Sequence, residues 1–440
     1  MKQSFAGTAP DNARSEPVYV SGRPSVTRFL LSAGVLLLLT AVCSCSAAAA
    51  TDEEIEALRG TTLYVYNWGE YISDGSDGTM DVNAEFEKKY GIKVVYDTFD
   101  NNEVMYAKLK GGGISYDVVF PSDYMIGRMI NEDLLEELDF GNIPNYKYID
   151  ERYRGLAYDP ENRYSVPYNV GMVGLIYNTK AVTEPPTSWK LMWNSDYAGK
   201  IVMFNNPRDA FAIAQSILDI DFNTLEEEEW RAAADLLCHQ KQVLQSYVND
   251  EIFDKMESGE AVIGAYYAGD YLLMYENNED LAFVYPDEGV NVFVDAACVL
   301  KGTRNKLAAE LYINFLQEPD VALANAEYIC YASPNVLVIN DEDYEYYQNE
   351  ILYPDEEHTP KTEIFLRLPD NINTLMNSLW EDVKNYDAGL GGADAEDGGA
   401  PQAKSKDVIK SYAGLASVAL IGTAAGVGAY VRRRKRERSW

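Results

Sequence analysis

The chain has 440 residues, with 37 Lys or Arg against 70 Asp or Glu, and a formal net charge of −33. Hydrophobic residues make up 47%, enough to bury sizeable cores, so the chain is not disordered as a whole. The acidity argues against non-specific nucleic-acid binding, which needs a basic face, and two histidines (His239 and His358) argue against His-based zinc or Ser-His chemistry.

In chain order, residues 1–50 read as an export signal. Lys2, Arg14, Arg23 and Arg28 precede the apolar run 29–42, which is too short for a stable span, and small residues follow it. Cys45, just after Ser44, offers a lipoprotein-type lipidation site; cleavage among residues 47–50 is the alternative. The body then alternates strand and helix. Residues 63–66 predict a strand, Met80, Phe86 and Tyr90 fall at helical spacing before Gly91, and residues 92–96 predict a second strand. A helix over 101–110 stops at Gly111-Gly112-Gly113. Residues 116–121 predict a buried strand, with Ser122 capping a helix through Leu138. A second series begins near Tyr164, with strands over 200–204, 261–267 and 291–295. Its helix opens at Asn206, Pro207 and Asp209. This rhythm predicts an α/β fold of two lobes, each with a mostly parallel sheet flanked by helices.

The C-terminal end differs from the body. Residues 387–410 are rich in Gly, Ala and Asp and read as a flexible tether. Residues 411–431 are uncharged and mostly apolar, long enough for a transmembrane anchor, and Gly422 with Gly426 forms a GxxxG pair. The basic tail 432–440 would remain cytoplasmic, which puts the acidic body outside the cell. Residues 46–431 hold 27 basic against 67 acidic residues, a balance that fits a cationic partner. Cys238, Cys298 and Cys330 are odd in number and lack CxxC spacing, so they read as core residues rather than a disulfide framework.

Ligands of open α/β sheets bind beyond the carboxyl ends of strands. Those positions here collect aromatics and carboxylates: Trp68 and Tyr71, Ser122 and Tyr124, Asp209, Tyr267 and Asp270, Phe293 and Asp295, and then Tyr331. A ligand that needs both is an aliphatic polycation, because rings attract ammonium groups and pack on methylenes while carboxylates fix the charges.

The segments resemble the spermidine/putrescine-binding proteins of polyamine ABC importers, from about Thr61 to Asp387. The likeness rests on YNWGEY (66–71), NNEVMYAKL (101–109), YDVVFPSDY (116–124), YSVPYNVG (164–171), NNPRDAFAIA (205–214), YAGDY (267–271), FVDAACV (293–299) and the stretch 310–335. The resemblance implies a type II periplasmic-binding-protein-like fold with crossover strands as a hinge. Residues 61–168 with 294–338 form lobe 1, and 169–293 with 339–386 form lobe 2. It further implies a monomeric, non-enzymatic binder without cofactor that hands a polyamine to an ABC permease. By the same resemblance, Trp68, Tyr71 and Tyr124 form an aromatic wall with Ser122 as a polar contact beside it. Asp209 takes an amine where relatives have the longer Glu. Tyr267 and Phe293 stand where spermidine-preferring relatives carry Trp, Asp295 is the carboxylate near the hinge, and Tyr331 adds an aromatic contact. Asn206 stands where relatives have Asp, and Asp270 resembles the putrescine-preferring branch, so putrescine is favoured over spermidine. Ser246 is a looser match, and Phe365 lies near the expected C-terminal contact. The alternative on the same fold is a ferric-ion binder using Tyr266-Tyr267, against the plainer reading that these two alternate along a strand.

Overall fold

The computed structural model describes residues 49–112, 115–355 and 357–387. The export signal, Cys45, nearly all of the tether, the apolar stretch 411–431 and the basic tail lie outside them. Among the described residues no helix is long and apolar enough to cross a membrane.

After a short α1 (Asp52–Glu56), the chain runs through β1 (Thr62–Trp68), α2 (Val82–Tyr90), β2 (Lys93–Phe99), α3 (Asn102–Gly111), β3 (Val118–Val119) and α4 (Asp123–Asn131). The side chains of Asp81 and Asn101 cap α2 and α3, and Gly91 ends α2 at φ 68°, a backbone that glycine adopts without penalty. The long β4 (Ser165–Asn178) then leads to β5 (Ile201–Phe204), α5 (Pro207–Leu218), α6 (Glu227–Gln240), β6 (Leu244–Val248), α7 (Glu251–Glu257), β7 (Ile263–Tyr267), α8 (Ala268–Asn277) and β8 (Leu281–Val284). The chain returns along β9 (Val290–Val299) and continues through α9 (Lys306–Leu316), α10 (Pro319–Ile329), α11 (Val336–Ile339), β10 (Thr362–Glu363) and α12 (Asp370–Asn385).

The strands lie in the order β2-β1-β3-β9-β4-β7-β5-β6, with β8 on β4 and β10 on β9. The expectation of mostly parallel sheets holds only in the outer halves: β1 pairs in parallel with β2 and β3, and β5 with β6 and β7. The centre, β3·β9, β9·β4 and β4·β7, is antiparallel. The reason is the route of the chain. One strand leaves the first lobe and another returns to it, so they run in opposite directions. Val166 and Tyr168 of β4 pack in a first core with Leu63, Val65, Phe86 and Ile92. Val173, Leu175 and Ile176 pack in a second core with Ile201, Phe211, Trp230 and Trp380. Val290 of β9 belongs to the second core, and Ala297 and Val299 belong to the first. The molecule is therefore two-lobed, with β4 and β9 crossing between the lobes.

Two expected elements are shorter. The helix after Ser122 stops at Asn131: Asp133 turns left-handed at φ 55°, and Leu135 leaves to bridge Leu300. The apolar spacing that suggested a longer helix comes from Leu135 and Leu138, which are buried in the segment that follows. The strand over 116–121 keeps only Val118–Val119 in ladder pairing, and Pro121 has no N–H to extend it. Cys298 and Cys330 are buried and Cys238 is half-buried.

Candidate functional site

The carboxyl ends of β1, β2, β5 and β7 contribute Trp68, Phe99, Phe204 and Tyr267 to one cleft of about 840 Å³, counting its open mouth. All ten residues singled out from sequence line it: Trp68, Tyr71, Ser122, Tyr124, Asp209, Tyr267, Asp270, Phe293, Asp295 and Tyr331.

The first wall follows from strand register. Parallel pairing sets Trp68 beside Phe99, with ring centroids 4.6 Å apart, and the Trp68 Nε1–H donates to the Phe120 carbonyl at 2.8 Å. Ser122 stands at the N-cap of α4, but its hydroxyl does not cap the helix as expected. It accepts from Asn102 Nδ2 at 3.0 Å, while the Asp123 carboxylate takes the Tyr124 N–H. The Tyr124 hydroxyl donates to Glu103 at 2.9 Å.

Asp295 lies on β9 opposite Asn169 and forms an isolated backbone bridge with Ser122. It is 3% exposed, and Tyr71 donates to its Oδ2 at 2.7 Å. The other oxygen, Oδ1, is buried without a hydrogen-bond partner, and the nearby Ser122 hydroxyl favours the charged carboxylate. Burial pushes the carboxyl up to about 6, with the two hydroxyls working against that shift.

The second lobe supplies two more carboxylates. Asn206 caps α5 by accepting the Arg208 N–H, and its Nδ2 donates to Asp209 Oδ2 at 2.6 Å. The Tyr267 hydroxyl donates to the same oxygen at 3.1 Å, so Asp209 is a cleft carboxylate rather than a helix cap. Burial first, and Glu103 and Asp295 after it, push Asp209 up to about 7. Asp270, in the first turn of α8, accepts from the Tyr331 hydroxyl at 3.1 Å, and burial together with Asp250 pushes it up to about 8.

Two glycines make the ring cage possible. A Cβ at Gly171 would fall 2.3 Å from the Phe293 ring, and one at Gly269 would fall 2.2 Å from the Tyr331 ring. Phe293 meets Tyr267 edge-on at 5.3 Å, and Tyr331 meets Tyr71 edge-on at 5.4 Å. The lining holds six carboxylates, from Glu70, Asp100, Asp209, Asp250, Asp270 and Asp295. No Lys, Arg or His is among the described lining residues.

Several expectations change here. Tyr266 and Tyr267 do not face opposite sides: β7 ends at Tyr267 and the chain turns into α8, so both rings line the cleft, 4.9 Å apart. Tyr266 donates to Asp250 at 3.2 Å, and burial holds both phenols well above their ordinary range. Ser246 lies within β6 and not in the cleft; Asn249 and Asp250, just past that strand, line it instead. Phe365 reaches the cleft, whereas His239 and His358 are exposed and do not. No group of His, Cys, Asp or Glu among the described residues is arranged to hold a metal ion.

Sequence reasoning missed Arg208, which is 2% exposed just behind the cleft wall. A signal was present: Arg208, Phe211, Ala212 and Gln215 fall on one helical stripe, a charge at an apolar position.

Residues 82–351 match the family model of bacterial extracellular solute-binding proteins. A spermidine/putrescine-binding periplasmic protein of Salmonella typhimurium is 32% identical over 77% of this chain and 92% of its own length. A putrescine-binding periplasmic protein of Escherichia coli is 28% identical over 74% of this chain and 91% of its own. Among solved structures, the spermidine/putrescine ABC transporter substrate-binding protein of Streptococcus pneumoniae is 32% identical, with a TM-score of 0.62 over 74% of this chain and 99% of that one. The chain belongs to the bacterial extracellular solute-binding proteins and, within them, to the substrate-binding proteins of polyamine ABC importers.

Proposed function

We propose that the cleft binds a slender aliphatic polyamine, putrescine in preference to spermidine, and that the protein delivers it to the permease of an ABC importer outside the cytoplasm. One observation carries the reading: six carboxylates and a cage of rings line a cleft in which no described lining residue is basic. Buried carboxylates need a countercharge, and Asp209, Asp270 and Asp295 have only phenol, hydroxyl or amide donors in the cleft. A diammonium supplies that charge, and its methylenes pack on Trp68, Tyr71, Tyr124, Tyr267, Phe293 and Tyr331.

The preference for putrescine draws on Asp209 and Asp270. Asp209 is short and already occupied by Asn206 and Tyr267, which retracts charge from that end, whereas Asp270 places a carboxylate at the start of α8. Relatives carry both spermidine/putrescine-binding and putrescine-binding names. A ligand that touches both lobes favours the closed state by its differential contacts, and the hinge we assign lies where β4 and β9 cross, at 168/169 and 293/294. The named relatives are periplasmic, in keeping with an export signal at residues 1–50 and an anchored, extracytoplasmic body.

Calorimetry of the purified protein with putrescine, spermidine and cadaverine tests the reading. Putrescine is expected to bind tightest; spermidine binding at least tenfold tighter reverses the preference, and silence toward every amine at millimolar concentration removes the reading. The ferric alternative would have to break the Tyr266–Asp250 and Tyr267–Asp209 hydrogen bonds. A visible charge-transfer band on adding ferric citrate would favour it.

A further inference from the structure

Arg208 is a buried cation that the binding reading leaves unused. Its Nη1 donates to the Phe222 carbonyl at 3.0 Å, and its Nη2 donates to Asn223 Oδ1 at 2.8 Å and the Leu366 carbonyl at 3.2 Å. These partners are all neutral, and Nε has none. The guanidinium stands 4.5 Å from the Phe365 ring centroid and 5.9 Å from that of Tyr124, so it backs two rings that face the cleft. A buried charge without an ion pair is costly unless other charges offset it.

Those charges lie close by, and they too lack ion pairs. Asp209 follows Arg208 in the chain. Glu103 takes the Tyr124 hydroxyl on one oxygen, and its Oε2 is buried without a partner. Asp123 is fully buried and accepts only backbone N–H groups, from Tyr124 at 2.6 Å and Val294 at 3.3 Å. We propose that Arg208 is a built-in counter-cation of the cleft: it favours the charged forms of Asp209, Glu103 and Asp123 against the cost of their burial, and so sets the pH below which the site stops binding. It touches no part of the cleft lumen and acts as a positioning residue through these carboxylates.

The electrostatics agree with the geometry. The groups facing the guanidinium are Asp123 and Tyr124 on α4, Glu103 on α3, Asp209 on its own helix and Glu363 on β10. Asp209 in turn faces Tyr267, Glu103 and Asp295. Burial lowers Arg208 to about 10, so it stays protonated at neutral pH. Burial raises Glu103, Asp123 and Asp209, and in each case the Arg208 charge works against the rise.

The inference rests on the polyamine reading, and its test separates the two. Putrescine affinity is measured by calorimetry from pH 5.5 to 9 for the wild type, Arg208→Met and Arg208→Lys. Wild-type affinity should fall as the pH drops through the carboxylate midpoint. In Arg208→Met that midpoint moves up by about one unit, so binding is about tenfold weaker at pH 7 and recovers to within a few-fold at pH 9. Arg208→Lys keeps the wild-type midpoint even where its melting temperature falls. A loss of equal size at every pH, or an unmoved midpoint in Arg208→Met, overturns the inference. Should Arg208→Met not fold, Arg208→Gln replaces it with the same expected upward move of the midpoint, and a midpoint that stays or falls overturns the inference. A wild type that binds no amine at any pH removes the polyamine reading instead.

Discussion

At Asp295, Tyr71 fills one carboxylate oxygen and the other has no well-aligned donor, so an incoming ammonium completes a half-satisfied group. Asp295→Ala would leave that ammonium buried and unpaired. Polyamine binding should weaken by about 2–5 kcal/mol in calorimetry, and unchanged affinity would take Asp295 out of the site. The raised carboxyls also govern stability. An unfolded aspartate titrates near pH 4, whereas burial pushes Asp295, Asp209 and Asp270 up to about 6, 7 and 8. Between those limits the folded chain binds more protons than the unfolded one. The stability these groups contribute is therefore present below about pH 4 and lost as the pH rises through 6 to 8. Thermal melts of the empty protein should show this as a decline from pH 5 to pH 8 that is shallower in Asp270→Asn. Saturating putrescine should raise the melting point more at pH 8 than at pH 5, and a greater rise at pH 5 would contradict the assignment.

Among the elements, the start of α8 is where backbone and site meet most tightly. Gly269 lies between Tyr267 and Asp270, and a Cβ there would strike both the Tyr331 ring and the Cys330 carbonyl, the latter at 2.8 Å. Gly269→Ala should cost about 1–3 kcal/mol of stability in denaturant titrations. It should also weaken putrescine binding, because Tyr331 can no longer hold Asp270. Full affinity with lowered stability would show that the Tyr331–Asp270 contact is dispensable for the ligand. Element by element, strands and caps were legible where one local rule decided them: Gly91 ended α2, and Asn206 with Pro207 opened α5. The failures share a cause, which is that tertiary context overrode periodicity. Leu135 and Leu138 have helical spacing, yet they are buried beyond a left-handed Asp133. Tyr266 and Tyr267 have strand spacing, yet β7 ends at Tyr267 and both rings line the cleft. Arg208 was hidden because a charge on an apolar stripe has meaning only once its distant neighbours Glu103 and Asp123 are in place.

At the scale of the whole molecule, the two crossing strands leave each lobe with its own core, so closure on a ligand is expected to be a hinge motion and not a refolding. Small-angle scattering should show the radius of gyration falling when putrescine saturates the protein; an unchanged radius would mean that binding and closure are uncoupled. The large acid excess should steer cationic ligands, so the association rate measured by stopped flow is expected to drop as ionic strength rises. A rate indifferent to salt would confine the electrostatics to the cleft itself. The lobed plan and seven of the ten chosen cleft residues were legible from strand ends in chain order, while Phe293 and Asp295 lie within β9 and Tyr331 follows α10; the antiparallel centre depends on how β4 and β9 travel between lobes, which no local pattern encodes. The want of any basic side chain in the described lining also decides what the cleft turns away. Ornithine is putrescine with one carboxylate added, and that single group would meet six carboxylates and no cation among the described lining residues. The cage is therefore expected to separate a decarboxylated diamine from its amino-acid parent by charge, even though the two share the same four-carbon diamine chain.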